Sequence, residues 1–396
     1  MTIASRSRAA EDAEDAEGER GANPAGTLGG TIRSRSRRGL WGGAFLLVAV
    51  TVVALSLATT SGRRSPTGSP TAGLPAAGLP TLGASRAVEV NNPALNDVGD
   101  PYVLPVAAGV DGISKPGYAL YWTTDWTANV PTAVSTDLIH WRRVPDALPT
   151  LPSWALVVQP PHSWSAAAGV STMTWGPTVH QVAGGFVLYF STEDAATRRE
   201  CIGAAFSASP VGPFADNSRA PLVCQAALGG DIDPSVVVPS PGHLALVWKN
   251  DGNASGAPVS IWEQPLTPDG RATTGVAVRL LGANQAWEHH IIEGPSMLAD
   301  TKGGWWLFYS GGTWQSNTYD TGVAWCATVS GPCREPMAKP LLASVATAVS
   351  PGGLDTFVDH QGRLWAAYSA FPSPPADARA AMASPRVLEL ARVLSH

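Results

Sequence analysis

Five short runs of apolar and aromatic residues recur along most of the chain. They are Tyr118-Ala-Leu-Tyr-Trp122, Phe186-Val-Leu-Tyr-Phe190, Leu244-Ala-Leu-Val-Trp248, Trp305-Trp-Leu-Phe-Tyr309 and Leu364-Trp-Ala-Ala-Tyr368, and their starts are 68, 58, 61 and 59 residues apart. Each follows a second strand-like run, and these are Asp100-Pro-Tyr-Val, Trp175-Gly-Pro-Thr-Val, Ile232-Asp-Pro-Ser-Val, Glu293-Gly-Pro-Ser-Met and Leu354-Asp-Thr-Phe-Val. Glycine-rich turns such as Lys302-Gly-Gly304 separate the partners, as β-hairpins require. The pattern predicts hairpins repeated at a regular interval.

The length of the repeat indicates the fold. A period of about 60 residues leaves room for about four strands and their turns, which is the size of a propeller blade. The sequence therefore predicts an all-β fold, a five-bladed β-propeller. The run from Arg386 to Leu394 is expected to be a strand that completes a blade with residues from near position 92. An irregular β-sandwich with chance similarity between its hairpins is the alternative.

The chain before the repeats divides into three parts by composition. Residues 1–38 are polar and charged and are expected to form a disordered cytoplasmic tail. Residues 39–60 contain an uncharged run, 40–58, long enough to span a membrane as a helix. Residues 61–92 are rich in Pro, Gly and Ala and are expected to be a linker. The propeller domain is then expected to occupy residues 93–396.

Two interpretations of the apolar run remain open. Arginines are more frequent before it than after it, so a single-pass anchor would leave the N-terminus in the cytoplasm and the propeller on the extracellular side of the cell membrane. A cleaved signal peptide would instead release a secreted domain. The anchor is favoured because the run is long for a signal peptide and no A-x-A cleavage site is evident. In both cases the main domain is exported.

Composition excludes some partners and suggests disulfides. The 396 residues are 44% hydrophobic and 14% charged, with a formal net charge of −5 and no basic stripe in the expected domain, which argues against nucleic acid. Four Cys lie at positions 201, 224, 326 and 333. Export favours disulfides, and pairing of neighbours would give Cys201–Cys224 and Cys326–Cys333, although four Cys allow three connectivities.

Three of the five first strands carry a carboxyl group beside a proline. These are Asp100-Pro101, Asp233-Pro234 and Glu293-Gly294-Pro295. First strands of propeller blades line the central channel, so the three acids should converge on one pocket although they are remote in sequence. Mutual repulsion would then spread their pKa values. One protonated acid and one carboxylate are what glycoside hydrolysis requires.

The motifs around these acids resemble glycoside hydrolase family 43 over nearly all of residues 95–395. Besides the three acid motifs, the matching segments are Ser135-Thr-Asp-Leu-Ile-His-Trp141, Trp175-Gly-Pro-Thr-Val, Ser209-Pro-Val-Gly-Pro-Phe214, Ser310-Gly-Gly-Thr-Trp314 and Tyr319-Asp-Thr-Gly-Val323. The resemblance implies a five-bladed propeller and an inverting enzyme acting on arabinose- and xylose-containing glycans. It implies Asp100 as general base, Asp233 as the acid that tunes pKa and orientation, and Glu293 as general acid.

Aromatic residues are candidates for stacking on sugar rings. Trp175 matches a substrate-stacking tryptophan of the family, and Trp126, Trp287 and Trp314 are further candidates near the acid motifs. Many of the 15 Trp must simply fill the space between blades.

Two positions depart from the family pattern. Many members carry a His on the fifth first strand that ligates a channel calcium, whereas this chain has Gly353 there. A channel calcium is therefore doubtful, and no cofactor is expected to be required. Gly99 precedes Asp100, where some members have His, which limits any transfer of substrate preference.

The leading hypothesis is an exported inverting glycosidase acting on an oligo- or polysaccharide, with arabinan-type glycans first. A non-catalytic glycan-binding propeller on the cell surface is the alternative, since the fifth blade is altered and tryptophan is abundant. Another five-bladed glycosidase or phosphorylase family is a third, weaker reading. The sequence carries no indication of the oligomeric state.

Overall fold

The structure, a computed structural model, describes residues 78–88, 95–157 and 173–396. Two short strands, β1 (Thr81–Leu82) and β2 (Arg86–Ala87), precede the first sheet. Blade I contains β3 (Tyr102–Val106), β4 (Gly117–Tyr121), β5 (Thr132–Ser135) and β6 (Trp141–Val144). Blade II contains β7 (Trp175–Val182), β8 (Gly185–Asp194) and β9 (Arg199–Ser207). Blade III contains β10 (Asp231–Ser240), β11 (His243–Asn250), β12 (Ser260–Leu266) and β13 (Val278–Gly282).

The remaining elements form the fourth and fifth blades. Blade IV contains β14 (Ile292–Ala299), β15 (Trp305–Gly311), β16 (Asp320–Cys326) and β17 (Cys333–Arg334). Blade V contains β18 (Val349–Val358), β19 (Leu364–Phe371) and β20 (Val387–Ser395). A short helix, α1 (Ala378–Ala383), lies between β19 and β20, and the Asp377 side chain caps it by accepting a hydrogen bond from the Ala380 amide. Neighbouring strands in every blade are antiparallel, so the predicted five-bladed propeller is confirmed.

The second strand of each blade is apolar on both faces because both faces are buried against other blades. In β4, Tyr118 and Leu120 pack in the core between blades V and I, whereas Ala119 and Tyr121 pack in the core between blades I and II. Successive side chains of a strand point to opposite faces, which explains this division. The second strands of the other blades are divided between two cores in the same way. This double burial explains why the sequence shows continuous apolar runs instead of alternation.

The ring is closed by strands from both ends of the described chain. β20 pairs with β19 on one side and with β1 and β2 on the other, and all these pairings are antiparallel. Leu79 and Leu82 also pack against the core between blades IV and V. The expected strand at 386–394 is therefore present as β20. Its partner lies at residues 81–87, within the range that composition assigns to the linker.

The first strands share a backbone feature that shapes the channel. Asp100, Gly176, Asp233, Gly294 and Gly353 occupy equivalent positions, and their φ angles lie between 49° and 61°. Four of them precede a proline, and in blades II to V the strand register shifts at this point, as in a β-bulge. Non-glycine residues rarely adopt positive φ, and Asp is among those that tolerate it best. Glu293 precedes its left-handed residue by one position, whereas Asp100 and Asp233 are themselves left-handed.

Both disulfides expected from neighbour pairing are present, Cys201–Cys224 and Cys326–Cys333. The first links β9 to the segment after it, and the second links β16 to β17. Among the described residues, no helix is both long and apolar enough to cross a membrane. The span predicted at residues 40–58 lies outside the described residues, as do the tail 1–38 and most of the linker 61–92.

Candidate active site

A cavity of about 480 Å³ receives side chains from all five blades. All three predicted acids line it, together with three of the four predicted tryptophans. These residues are Asp100, Asp233, Glu293, Trp126, Trp175 and Trp314. The structure therefore brings together acids that are far apart in the sequence.

Asp100 is a half-buried carboxyl group with one hydroxyl donor and one nearby cation. Thr123 Oγ1 donates a hydrogen bond of 2.6 Å to its Oδ2, and Thr123 in turn accepts one from the Gly176 amide. Burial raises the pKa of Asp100, while the Arg386 guanidinium and the Thr123 hydrogen bond oppose that rise. The charges of Glu293 and Asp97 also raise this pKa, so the two opposing contacts limit the rise and do not reverse it.

Asp233 has the most perturbed environment of the three acids. Burial and the charges of Glu293 and Asp100 raise its pKa well above the usual range, and Lys249 and the Gly294 amide only partly oppose this. The Gly294 amide donates a hydrogen bond of 2.9 Å to Asp233 Oδ2, which joins Asp233 to the backbone beside Glu293. The surroundings therefore favour a protonated Asp233 between two other acids.

Glu293 is held by a buried ammonium group. Lys249 Nζ lies 2.9 Å from Glu293 Oε2 and 3.3 Å from Asp251 Oδ1. The Lys249 side chain is only 1% exposed, whereas that of Glu293 is 14% exposed and reaches the cavity.

Arg386 provides a second cation at the site, and its side chain is half-buried. Its Nε lies 2.8 Å from Asp97 Oδ1, and its guanidinium lies over the Trp314 ring at 4.9 Å from the ring centre. A Cβ atom on Gly99 would overlap this guanidinium. Gly99 thus leaves the space beside Asp100 to Arg386.

The tryptophans divide into two groups. Trp126, Trp175 and Trp314 are half-buried and line the cavity. Trp287 instead stacks on Tyr309 with ring centres 5.9 Å apart and packs against the core between blades III and IV. The 3-10 turn Ala286–Glu288 carries this ring, and Trp287 is not among the residues that line the cavity, unlike the other three tryptophans.

The residues at position 353 do not fit the family's calcium arrangement. Gly353 offers no side chain, its φ is 61°, and a Cβ atom there would lie 2.7 Å from Asp100 Oδ1. A histidine ligand therefore has no room on this strand in the present arrangement.

Sequence reasoning missed the partners of the acids. Lys249 follows the apolar run that ends at Trp248, and Arg386 opens the last strand after a proline. A single charged residue at the end of an apolar run is a usable signal, because such a residue is seldom buried unless it is paired. Its partners could not be read from the sequence, since they lie on other strands.

The fold and the three convergent carboxyl groups define a glycoside hydrolase of the β-propeller type. The family model described as "Glycosyl hydrolases family 43" matches residues 112–389. The chain belongs to this family, in which inversion is the general mechanism.

Solved structures share the fold. A thermostable family-43 glycoside hydrolase is 22% identical, with a TM-score of 0.60, over 75% of this chain and 90% of that one. An endo-1,4-beta-xylanase from Bacteroides thetaiotaomicron is 24% identical, with a TM-score of 0.57, over 74% and 90% of the two chains. An endo-arabinase from the same organism is 17% identical, with a TM-score of 0.58, over 78% and 97%. A comparison with curated protein sequences gave no significant match.

Proposed function

We propose that this chain is an exported inverting glycosidase that hydrolyses arabinose- or xylose-containing glycans, with arabinan-type glycans as first choice. The observation that carries the proposal is the meeting of Asp100, Asp233 and Glu293 at one cavity, where each acid has a different set of neighbours. Acids with different surroundings can divide the roles of acid and base.

In the proposed reaction the roles follow the surroundings. Asp100, beside Arg386, takes a proton from a water molecule that attacks the anomeric carbon. Glu293 gives a proton to the departing glycosidic oxygen from the opposite side, in a single displacement without a covalent intermediate. Asp233 lies between these two acids and stays protonated. The Gly294 amide fixes the orientation of Asp233 relative to Glu293.

Neighbouring structures support the substrate class. One is an endo-arabinase, one an exo-1,5-alpha-L-arabinanase and one an endo-1,4-beta-xylanase. Trp126, Trp175 and Trp314 at the cavity offer flat apolar faces, which suit the faces of sugar rings. The chemistry is proposed to need no metal.

Export is proposed from the N-terminal sequence, with residues 40–58 as a single-pass anchor or a cleaved signal. The two disulfides of the propeller agree with an oxidising compartment. Protease treatment of intact cells tests this, since an exported domain is digested while a cytoplasmic marker is retained.

The catalytic assignment is tested with Asp100→Asn and Glu293→Gln on methyl arabinofuranosides and methyl xylosides, whose leaving groups need protonation. Both variants should lose at least about 10²-fold in kcat, the usual contribution of general acid–base catalysis. Asp269→Asn, at an exposed loop position, is the matched control and should keep full activity. Undiminished hydrolysis by either variant would remove that residue from its proposed role.

Product analysis by NMR tests the stereochemistry. The first product formed should have the anomeric configuration opposite to that of the substrate. Retention would contradict the single displacement. Sugar binding in calorimetry, with no turnover across a broad glycan panel, would instead favour a glycan-binding propeller.

A further inference from the structure

Lys249 is a fully buried cation for which the reaction proposed above has no role. It lies near the end of β11, where its backbone pairs with Ile232 of β10 and Ile261 of β12. Strands on both sides therefore fix its position. Burying an unpaired ammonium group costs several kcal/mol of folding free energy, so the acidic partners of Lys249 are needed to keep it buried and charged.

We propose that Lys249 is a positioning residue for the general acid, holding Glu293 and offsetting the negative charge that Glu293 acquires when it protonates the leaving oxygen. This inference rests on the proposed function of Glu293. Its geometric basis is the contact of 2.9 Å between Lys249 Nζ and Glu293 Oε2.

The second contact of Lys249 explains how it can remain charged throughout the reaction. Glu293 must be neutral before proton transfer and anionic after it, so it cannot always serve as the counterion. Asp251, with Oδ1 at 3.3 Å from Nζ, is available in both states. Burial alone would lower the pKa of Lys249, but the charges of Glu293, Asp251 and Asp233 raise it to about 12. Lys249 is therefore a fixed cation that two carboxyl groups share.

The proton balance of the step leaves Lys249 unchanged. The Glu293 proton passes to the glycosidic oxygen, which also takes the electron pair of the breaking carbon–oxygen bond. The water oxygen bonds to the anomeric carbon and gives its proton to Asp100. Lys249 keeps its three protons, and its positive charge stabilises the carboxylate that forms on Glu293.

Other titratable groups surround the Lys249–Glu293 contact. Asp233 on β10, Asp251 after β11, Asp100 before β3 and Tyr319 before β16 all interact electrostatically with one or both partners. Burial and the charges of Glu293, Asp100 and Asp233 raise the pKa of Tyr319 well above 10, so its phenol stays neutral. Lys249 is therefore the only cation shown in direct contact with Glu293 among the described residues.

The dependence on the leaving group tests this role. Lys249→Met removes the charge and keeps an unbranched side chain. Its kcat/KM should fall by about 10²-fold on the methyl glycoside of the preferred sugar, whose leaving group needs protonation. On the nitrophenyl glycoside of that sugar the loss should be only a few-fold, because nitrophenolate departs with little help. Lys249→Arg should restore part of the methyl-glycoside activity. Equal losses on both substrates in a folded Lys249→Met enzyme would overturn the inference.

Asp251→Asn provides a second test, in which Lys249 itself stays in place. Without Asp251 the ammonium charge acts on Glu293 alone. The alkaline limb of the pH dependence of kcat/KM should then move to lower pH by about one unit, and in Lys249→Met it should move to higher pH by a similar amount. Limbs that stay in place, or that move in the same direction in both variants, would contradict the role.

The failure of this inference is distinguishable from failure of the proposed function. If Glu293→Gln keeps its activity, the general-acid assignment fails. If Glu293→Gln is inactive but Lys249→Met shows no dependence on the leaving group, only the role of Lys249 fails.

Discussion

Gly353 packs directly against Asp100: a Cβ atom on residue 353 would lie 2.7 Å from Asp100 Oδ1 and 3.0 Å from Asp100 Cα. Residue 353 also has a φ of 61°, a backbone conformation that residues other than glycine adopt only with strain. Glycine is thus needed at this position for two reasons: the backbone conformation, and the space that Asp100 occupies.

Gly353→Ala should therefore damage activity as well as stability. We expect a loss of about 1–2 kcal/mol in the free energy of unfolding from the backbone alone. We also expect a clear fall in kcat, since Asp100 must move. Gly362→Ala is the matched control, because Gly362 has a φ of 73° and open space around its Cβ position. It should lose comparable stability in urea unfolding and keep its kcat. Similar kcat values in the two variants would contradict the importance of the contact with Asp100.

Removal of the Arg386 charge should change the acid limb of the pH profile. Arg386 opposes the rise in the pKa of Asp100 that burial causes. In Arg386→Gln the pKa of Asp100 should rise further, and a base that must be ionised then needs a higher pH. The acid limb of kcat/KM should move upward by about one unit. Arg386→Lys retains the charge and should move it less. An unchanged acid limb in Arg386→Gln would show that another group sets it.

The stability of the protein should fall as pH rises toward neutrality because of Glu288. Burial and a hydrogen bond with Glu335 raise the pKa of Glu288 to about 7, from an ordinary value of 4.5. The folded state then holds a proton that the unfolded state releases, so the contribution of Glu288 is complete below about pH 4.5 and is lost as pH passes 7. The Tyr309 hydroxyl lies 2.8 Å from Glu288 Oε1 and 2.7 Å from Glu335 Oε1, and its single proton cannot serve both.

Glu288→Gln removes this titration. Thermal unfolding between pH 5 and pH 8 should show a smaller decline in Tm for the variant than for the wild type. Parallel Tm curves would mean that Glu288 does not hold the proton.

Trp175→Ala should change substrate binding, whereas Trp287→Ala should change stability. Trp175 lines the cavity, so its loss should raise KM with little change in Tm. Trp287 packs on Tyr309, so its loss should lower stability, by up to about 3 kcal/mol, with little change in KM. Steady-state kinetics and thermal unfolding of both variants separate the two roles. The reverse pattern would contradict the placement of the two rings.

The sequence allowed the fold to be predicted because the repeat is built into the burial of each blade. Residues such as Leu120 and Tyr121 face different cores, which gives an apolar run that recurs once per blade. The three acids were visible for the same reason, since each accompanies a proline at the same point of its repeat. In blades I and III the acid itself, Asp100 or Asp233, has the left-handed backbone conformation. In blade IV the left-handed residue is Gly294, which follows the acid.

Other features could not be predicted because they depend on contacts between distant segments. Lys249 meets Glu293 only after blades III and IV have packed together, and Arg386 reaches Asp97 across the ring closure. The position of Trp287 depends on the short 3-10 turn Ala286–Glu288, and its ring packs on Tyr309 of β15. The strands at 81–87 are only two residues long each, which is too short for any periodicity to be seen.

The pairing of Thr81 with Ser395 has a consequence for the order in which the domain folds. The segment containing β1 and β2 is made before any blade, yet its partner β20 is made after all the others. This segment can pair with β20 only after all five blades have been synthesised, and contacts of such long sequence separation form slowly. Blade V is therefore expected to be the last blade to mature, and a chain that ended before β20 would leave the outer edge of β19 open to pairing with another chain.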